Sequence, residues 1–219
     1  MTTVAVMQPC FMPYAGYFRL FAAVDLFVIY DCVQFPRRGL IHRNRLPDHL
    51  DRAKWLTLPI AKAPREALIK DLGFADNAET KLQAQFSRFP CLDKAEEENQ
   101  QLMHVVRDLT PPPCVYLTTA LKTVCEILRL PFNVRYSSEF NIDPGFKGPD
   151  RVMEILEHLK ASDYVNTPGG RKLYNVSAFA KRGIEIRFLD RYNGPYWSIL
   201  HRLMIESPRS LAEEIRAQA

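Results

Sequence analysis

The sequence lacks the features that mark a membrane-spanning or an exported protein. No stretch of the 219 residues reaches the ~20 consecutive apolar residues that a transmembrane helix needs, and Asp25 interrupts the best candidate. No basic region precedes the first apolar run, so we expect no secretory signal peptide. The five cysteines form no Cys-x-x-Cys pair, which favours free thiols in a reducing compartment. We therefore expect a cytoplasmic protein without a transmembrane segment.

The sequence also has no internal repeat, no low-complexity tract and no metal-ligand spacing among its five histidines. Its composition, 47% hydrophobic and 25% charged, is ordinary for a globular protein with a sizeable core. We expect a single α/β domain over residues 1–219, with a helical subdomain around residues 79–130 and no metal site. The sequence identifies no cofactor.

The segment from Val4 to Asp31 predicts a strand, a tight loop, a short helix and a second strand. Its first apolar run ends before Gln8-Pro9, helical spacing follows, and Leu26–Tyr30 is a second apolar run. Strand, helix and strand within about thirty residues form a βαβ unit. In such units ligands bind at the carboxyl ends of the strands, and phosphates bind at the helix N-terminus. The candidate ligand-binding residues at those positions are Gln8, Tyr14, Gly16, Tyr17 and Asp31.

The rest of the pattern extends this unit into a Rossmann-like α/β fold with a mostly parallel sheet. Pro111-Pro112-Pro113 interrupts a helical middle segment. Strands are predicted at 55–60, 132–137, 163–167 and 184–189, and helices from 79 to about 89 and at 94–109, 115–130, 149–160, 198–205 and 209–217.

A narrower alternative concerns the loop Tyr14-Ala15-Gly16-Tyr17. This loop is similar to the His-x-Gly-His motif that HIGH-type nucleotidyltransferases place between their first strand and first helix, with tyrosine at both histidine positions. A phenol hydrogen-bonds a phosphate but carries no positive charge near neutral pH. A nucleotidyltransferase or HUP-like variant of the fold, with ATP-dependent adenylyl or nucleotidyl transfer, is the corresponding alternative.

The segment from Pro36 to Trp55 accounts for the formal net charge of +4, because it holds six basic and two acidic residues. Guanidinium groups match phosphate or carboxylate in a bidentate manner. The segment lacks the interleaved aromatic residues of a nucleic-acid platform. We therefore predict a phosphorylated small molecule as the ligand and disfavour nucleic acid. The alternative is a solvated basic loop.

Three separated blocks resemble the WbqC-like protein family. They are MQPCFMPYAGYFRLFAAVDLFVIYDCVQFPRRGLIHRNRL, KGPDRVMEILEHLKASDYVNTPGGRKLYN and YWSILHRLMIES. The resemblance implies a cytoplasmic step on a nucleotide-linked sugar in bacterial surface-polysaccharide (O-antigen) biosynthesis, with acyl or aminoacyl transfer to an amino sugar as the reaction. Cys10 and Cys32 depart from the family pattern, and Cys32 replaces the second aspartate of a common Asp-Asp pair, so metal binding is doubtful here.

The resemblance and the predicted element ends together select the candidate site residues. Asp31 is the candidate general base, and Tyr17 is the second candidate catalytic residue. Arg38, Asn44 and Arg45 match the family pattern and suit phosphate recognition. Further candidates for binding substrate or phosphate are Lys147, Asp150 and Arg151 at a helix start and Asn166, Gly169, Gly170 and Tyr174 in a glycine loop.

Two further interpretations remain open from the sequence. Acyl transfer by a thiolate would use Cys10 or Cys32, with His42 as a possible base. A non-catalytic protein that presents a sugar nucleotide or an acyl carrier to a partner enzyme would bind the same ligands without turnover. In the transferase interpretation, the partners are a phosphorylated or nucleotide-linked small molecule and an acyl or aminoacyl donor.

Overall fold

A computed structural model describes residues 1–93 and 99–219. Its main sheet contains five parallel strands in the described part of the chain, in the order β5-β2-β1-β6-β7. Their bounds are β1 Thr3–Met7, β2 Leu26–Ile29, β5 Val134–Tyr136, β6 Asp163–Asn166 and β7 Glu185–Phe188. The predicted mostly parallel, Rossmann-like α/β fold is confirmed.

Helices follow or separate these strands along the chain. Short 3-10 turns lie at Ile69–Asp71, Ser137–Glu139 and Pro168–Lys172. The α-helices are α1 Ala15–Ala23, α2 Ala78–Phe86, α3 Pro90–Asp93, α4 Gln100–Arg107, α5 Pro113–Ile127, α6 Gly148–His158, α7 Val176–Ala180, α8 Ile199–Ile205 and α9 Pro208–Ala217. Within the described residues, no helix has the length and apolar character that crossing a bilayer requires.

Both faces of the parallel sheet are buried, which explains the continuous apolar runs of its central strands. Val4 and Val6 of β1 pack into one hydrophobic cluster, and Ala5 between them packs into the other. On the second face, helix α1 lies against β2, where the ring of Phe21 stacks on Phe27 at 4.1 Å between centroids. The sheet is therefore a central layer between two packed layers.

The strand order places the topological switch point between β1 and β6. From β1 the chain crosses to β2 on one side, and from β6 it crosses to β7 on the other. Ligands of open α/β sheets bind outside the carboxyl ends of the strands at such a point. We therefore expect a ligand site among the residues that follow β1, β2, β5, β6 and β7.

The basic segment contains a strand that the sequence pattern did not predict. Strand β3, Arg43–Pro47, pairs with β4, Ala53–Thr57, as a two-stranded antiparallel hairpin. Arginines alternate with Asn44 and Leu46 in this strand because only one face is buried. The segment therefore shows no continuous apolar run from which a strand could be predicted. The strand predicted at 55–60 begins and ends earlier, at 53–57.

Other boundaries also differ from the prediction. The helix that was expected to stop at Pro90 ends at Phe86, and Pro90 begins the short helix α3. Proline is well tolerated in a first helical turn, where its missing N–H has no partner to lose. The helix predicted at 94–109 is present as Gln100–Arg107, and residues 94–98 of that prediction lie outside the described residues. The helical subdomain around residues 79–130 stays a prediction.

Candidate functional site

A cavity of about 660 Å³ lies at the carboxyl ends of β2 and β5. We call it the β2–β5 cavity. The turn at Ile69–Asp71 and the start of α6 complete its walls, and Phe140, Ile142 and Phe146 give it an apolar side. The polar side chains that line it are Tyr30, Cys32, Gln34, Glu66, Lys70, Ser138, Lys147 and Arg151.

The charged lining of this cavity is mostly cationic. Among the described residues that line it, Lys70, Lys147 and Arg151 are cations and Glu66 is the one carboxylate. Lys70 also pairs with Asp71 at 2.7 Å, and this hydrogen bond raises the pKa of Lys70 above its usual value. Lys147 and Arg151 form no ion pair with a described residue, so these two cations are available to an anionic ligand.

The first turn of α6 opens onto the same cavity. Gly148, at a φ of +53°, begins the helix after Lys147, whose side chain makes no capping hydrogen bond. The amides of a first helical turn lack intrahelical partners and carry the positive end of the helix dipole. Here they add to the charges of Lys147 and Arg151, both of which line the cavity.

Asp31, which follows β2, anchors the loop after β5 behind this cavity. Its Oδ1 accepts hydrogen bonds from Ser137 Oγ at 2.8 Å and from the Ser138 amide at 2.9 Å. Its Oδ2 accepts one from Ser138 Oγ at 2.6 Å. The side chain is 2% exposed. The carboxylate therefore joins the ends of two neighbouring strands and fixes the Ser138 hydroxyl at the cavity wall.

The thiol of Cys32 lies in a polar setting at the same wall. Arg151 Nε donates to its sulfur at 3.2 Å, and Ser137 Oγ is 2.9 Å away. A second nitrogen of Arg151 donates to the carbonyl of Asp143 at 3.2 Å. These contacts fix the guanidinium against the cavity rather than leaving it in solvent.

Tyr30 supplies a polar atom without a partner in the described structure. Its hydroxyl is buried and forms no hydrogen bond with a described residue, and the side chain lines the β2–β5 cavity. Burial raises the pKa of Tyr30 above its usual value, so the phenol is neutral and able to donate. An unpartnered buried hydroxyl is costly, and a ligand atom would relieve that cost.

A second cavity, of about 430 Å³, lies at the switch point. We call it the β1–β6 cavity. Residues that follow β1, β6 and β7 meet there: Tyr14, Gly16, Arg19, Thr167, Pro168, Gly169, Leu189, Arg191, Tyr192 and Tyr196. Both cavities thus lie along the carboxyl edge of the parallel sheet, where the fold class leads us to expect ligands.

Comparison with known sequences assigns the chain to a protein family. The sequence model of the WbqC-like protein family matches residues 8–207. The chain belongs to this family. Uncharacterized protein Rv1507c of Mycobacterium tuberculosis is similar to it, with 25% identity over 209 residues that cover 89% of this chain and 84% of the relative. No solved structure matches this WbqC-like protein significantly.

The predicted site residues of the WbqC-like chain fall into three places. Lys147 and Arg151 line the β2–β5 cavity, Asp31 lies behind its wall, and Asp150 is in the first turn of α6. Tyr14, Gly16 and Gly169 line the β1–β6 cavity. The remaining residues, Gln8, Tyr17, Arg38, Asn44, Arg45, Asn166, Gly170 and Tyr174, line neither cavity.

The arginine group predicted to clamp phosphate lies on and before the β3–β4 hairpin. Arg38 and Arg45 are exposed, and the Arg45 guanidinium lies 5.6 Å from the centre of the Trp55 ring. Asn44 is buried, and its amide donates to the carbonyls of Phe11 at 3.2 Å and Met12 at 2.6 Å. Their role in phosphate binding stays a prediction.

The other candidates away from the cavities hold loops together. Tyr17 is buried, and its hydroxyl donates to the Gln8 carbonyl at 2.8 Å. Burial also raises the pKa of Tyr17 well above its usual value. Asn166 Nδ2 donates to Tyr164 Oη at 2.8 Å, and Tyr164 Oη donates in turn to Tyr174 Oη at 3.1 Å. The catalytic roles predicted for Asp31 and Tyr17 stay predictions.

Gly170 is also required by packing. A Cβ at Gly170 would lie 2.9 Å from Asn166 Nδ2, closer than side chains approach one another. The glycine therefore allows the turn after β6 to close over Asn166.

Cys10 and Cys32, the two candidates for acyl transfer by a thiolate, lie in different environments. Burial raises the pKa of Cys10 to about 12, and its thiol donates to the Gln8 carbonyl at 3.7 Å. The ring of His42 packs against Phe35 at 5.1 Å between centroids. Cys32, beside Arg151, is the cysteine of this pair that faces a cavity.

Several cavity residues were missed by the sequence interpretation. Ser137 and Ser138 lie more than a hundred residues from Asp31 in the chain and reach it through the pairing of β2 with β5. Lys70 reaches it from the turn at Ile69–Asp71, where the Lys70 amide donates to the Asp31 carbonyl at 3.0 Å. Arg19, Tyr192 and Tyr196 were likewise not predicted as site residues. The available signal was that polar residues directly follow the strand predicted at 132–137, which a parallel sheet brings to the edge that Asp31 occupies.

Proposed function

We propose that this WbqC-like protein is a transferase that acts on a phosphorylated or nucleotide-linked small molecule bound in the β2–β5 cavity. The substrate class is an amino sugar of bacterial surface-polysaccharide (O-antigen) biosynthesis, and the transferred group is an acyl or aminoacyl group, as the family resemblance suggests. The observation that carries the proposal is the cationic cavity at the carboxyl edge of the sheet, where Lys147, Arg151 and the first turn of α6 converge.

The β2–β5 cavity combines cationic groups that suit an anion with hydroxyl groups that could orient an acceptor. In this proposal Lys147 and Arg151 neutralise the phosphate charge, and the amides of the first turn of α6, other than that of Pro149, which has no N–H, donate to it. The Tyr30 and Ser138 hydroxyls line the same space. In this proposal they orient the amino or hydroxyl group of the acceptor, while Asp31 holds Ser138 in place. Catalysis would rest on positioning and charge stabilisation.

A thermal-shift and calorimetry panel tests the binding step. Nucleotides, nucleotide sugars and sugar phosphates are titrated into the wild type and into Lys147→Ala. Lys147 is exposed and makes no hydrogen bond or ion pair with the described residues, so its truncation removes charge with little cost to folding. We expect about tenfold weaker binding, since hydrogen bonds to charged groups contribute roughly 1.5–3 kcal/mol.

Matched variants locate the effect. Lys181→Ala removes another exposed lysine, which lines neither cavity, and should leave affinity unchanged. Arg38→Ala and Arg45→Ala test the hairpin arginines in the same titration. Weaker binding in those two variants, with Lys147→Ala unaffected, would move the phosphate to the hairpin and overturn the proposed cavity.

Transfer itself is measured by mass spectrometry. The bound nucleotide sugar is incubated with an acyl thioester or an aminoacyl donor, and the sugar should gain the mass of the transferred group. Binding without a mass change for any donor would contradict the transferase proposal. That result would favour a protein that presents its ligand to a partner enzyme.

A further inference from the structure

We infer that the β1–β6 cavity is a second ligand site, which binds the phosphate of a phosphorylated ring compound through Arg19 and holds the ring against Tyr14 and Tyr196. The ligand class is a nucleoside phosphate or a sugar phosphate. This site is separate from the β2–β5 cavity, and it does not depend on the reaction proposed there.

Arg19 is the observation that carries this inference. The residue is 3% exposed and lines the β1–β6 cavity. Its Nε donates to the Gln218 carbonyl at 2.6 Å, and its Nη1 donates to the Asp190 carbonyl at 2.9 Å. Within residues 1–93 and 99–219 it forms no ion pair, and its Nη2 donates to no described atom. The Asp190 carboxylate acts on Arg19 through its charge alone, from beyond ion-pair distance. A buried cation without a direct counter-ion is costly, so an anion in the cavity would stabilise Arg19.

Another buried arginine of the same chain shows the contrast. Arg202 is 4% exposed, and its guanidinium pairs with both Glu206 and Glu214. The fold thus neutralises one enclosed guanidinium with two carboxylates and leaves the other facing a cavity. Of these two arginines, Arg19 is the one with a guanidinium nitrogen, Nη2, that donates to no described atom and could bind a ligand.

The cavity lining matches a phosphate ester in charge. Arg191 is exposed and lines the cavity beside Arg19, and no aspartate or glutamate is among the described residues that line it. Two cations suit the charge of about −2 that a phosphate monoester carries near neutral pH. A carboxylate would neutralise only one of them.

Three tyrosine rings form the apolar side of the same cavity. The Tyr14 ring lies 4.9 Å from that of Tyr196 and 5.4 Å from that of Tyr192, measured between centroids. Tyr196 is 46% exposed, so part of its ring remains open to a ligand. Aromatic faces of this kind stack on nucleobases and pack on sugar rings.

The position of this cavity in the fold supports the same inference. Tyr14 and Gly16 follow β1, Thr167 and Gly169 follow β6, and these neighbouring strands flank the switch point. Crevices at this position are where doubly wound sheets hold phosphorylated ligands.

Gly169 offers a test that leaves the fold intact. A Cβ added there would meet only Thr167 Oγ1, at 3.9 Å, and the backbone is not in the left-handed region. Gly169→Leu should therefore be accommodated by the protein while filling part of the cavity. Gly73→Leu is the matched control, because a Cβ at Gly73 meets no atom within 4 Å and Gly73 lines neither cavity.

The affinities of AMP and glucose 1-phosphate are measured by isothermal titration calorimetry, with adenosine, glucose and acetate as comparison ligands. We expect at least one phosphorylated probe to bind at least about tenfold more tightly than its unphosphorylated counterpart. Gly169→Leu should lower that affinity by about tenfold or more, and Arg191→Gln by about threefold. Arg88 is an exposed arginine that lines neither cavity. Gly73→Leu and Arg88→Gln should therefore leave the affinity unchanged, and all four variants should keep the wild-type melting temperature.

The outcomes separate the two cavities. Binding of AMP alone identifies a nucleoside phosphate, and binding of glucose 1-phosphate alone identifies a sugar phosphate. Loss of binding in Lys147→Ala, with Gly169→Leu and Arg191→Gln unaffected, would overturn the inference and leave the proposed function standing. Acetate binding as tight as that of the phosphorylated probes, or no binding of either phosphorylated probe up to about 10 mM, would also overturn it.

Discussion

At the scale of single residues, Asp31 shows how a carboxylate at a strand end organises a cavity. The sequence places it directly after an apolar run, and this position was predicted. Its partners were not, because Ser137 and Ser138 are more than a hundred residues away in the chain and meet it through the pairing of β2 with β5. Single-sequence patterns specify which strands exist but do not specify their order in the sheet.

Replacing Asp31 with asparagine tests this anchoring role. The amide retains one oxygen, so it cannot accept all three hydrogen bonds from Ser137 and Ser138. We expect the free energy of unfolding in urea to fall by about 1–3 kcal/mol, since a buried hydrogen-bonding group is left without a partner.

Ser138→Ala serves as the comparison for this prediction. It removes one of the three hydrogen bonds and leaves the carboxylate, so its loss of stability should be smaller than that of Asp31→Asn. An Asp31→Asn protein that is as stable as the wild type, yet inactive in the transfer assay, would contradict anchoring and favour the general-base role predicted from the sequence.

At the scale of elements, the β3–β4 hairpin depends on Asp48 in its turn. Asp48 Oδ1 accepts hydrogen bonds from the amides of Leu50 and Arg52, each at 2.9 Å, and Oδ2 pairs with the Arg52 guanidinium at 3.0 Å. Loss of hydration raises the pKa of Asp48, but these hydrogen bonds and the charge of Arg52 outweigh it and lower the pKa to about 2.

This depressed pKa predicts a stability change in acid. The unfolded pKa of aspartate is ~3.9, so the stabilisation is complete above that pH and is lost as the pH falls toward the folded value. Urea unfolding at a series of pH values should show wild-type stability falling between about pH 4 and pH 2, and Asp48→Asn should show less of this fall. Identical pH profiles for the two proteins would contradict the prediction.

The elements also show what the sequence could predict. Strands β1 and β2 were predicted because central parallel strands, buried on both faces, are continuous apolar runs. Strand β7 was predicted from its alternation of apolar and charged residues, which fits its place at the edge of the sheet. Strand β3 was missed because it is antiparallel, carries arginines on its open face and is buried on one side only. Helix α7, of five residues, is too short to show a helical period.

At the scale of the whole molecule, helices α8 and α9 are tied together beside the β1–β6 cavity. Arg202 of α8 pairs with Glu206 and with Glu214 of α9, and its Nη1 donates to Tyr192 Oη at 2.9 Å. Tyr192 lines the cavity, and Arg19 donates to the carbonyl of Gln218, directly after α9. The sequence could not predict this closure, because it joins residues from opposite ends of the chain.

Arg202→Met tests how far this network supports the cavity. Removing the arginine leaves Glu206, Glu214 and Tyr192 without their shared partner. We expect a loss of about 2 kcal/mol in the free energy of unfolding, below the 3–5 kcal/mol of fully buried pairs, because the two glutamates are 32% and 27% exposed.

Arg209→Met is the matched control on the same helix pair. Arg209 pairs with Glu213 at 2.9 Å, but the two side chains are 89% and 63% exposed, so the loss of unfolding free energy should stay below about 0.5 kcal/mol.

Because Tyr192 both donates to Glu214 and accepts from Arg202, Arg202→Met should also weaken phosphate-ester binding in the β1–β6 cavity, and Arg209→Met should not. Equal effects of the two substitutions on stability would show that the network is a surface feature. If Arg202→Met loses stability but not binding, the β1–β6 cavity keeps its shape without the Arg202 network.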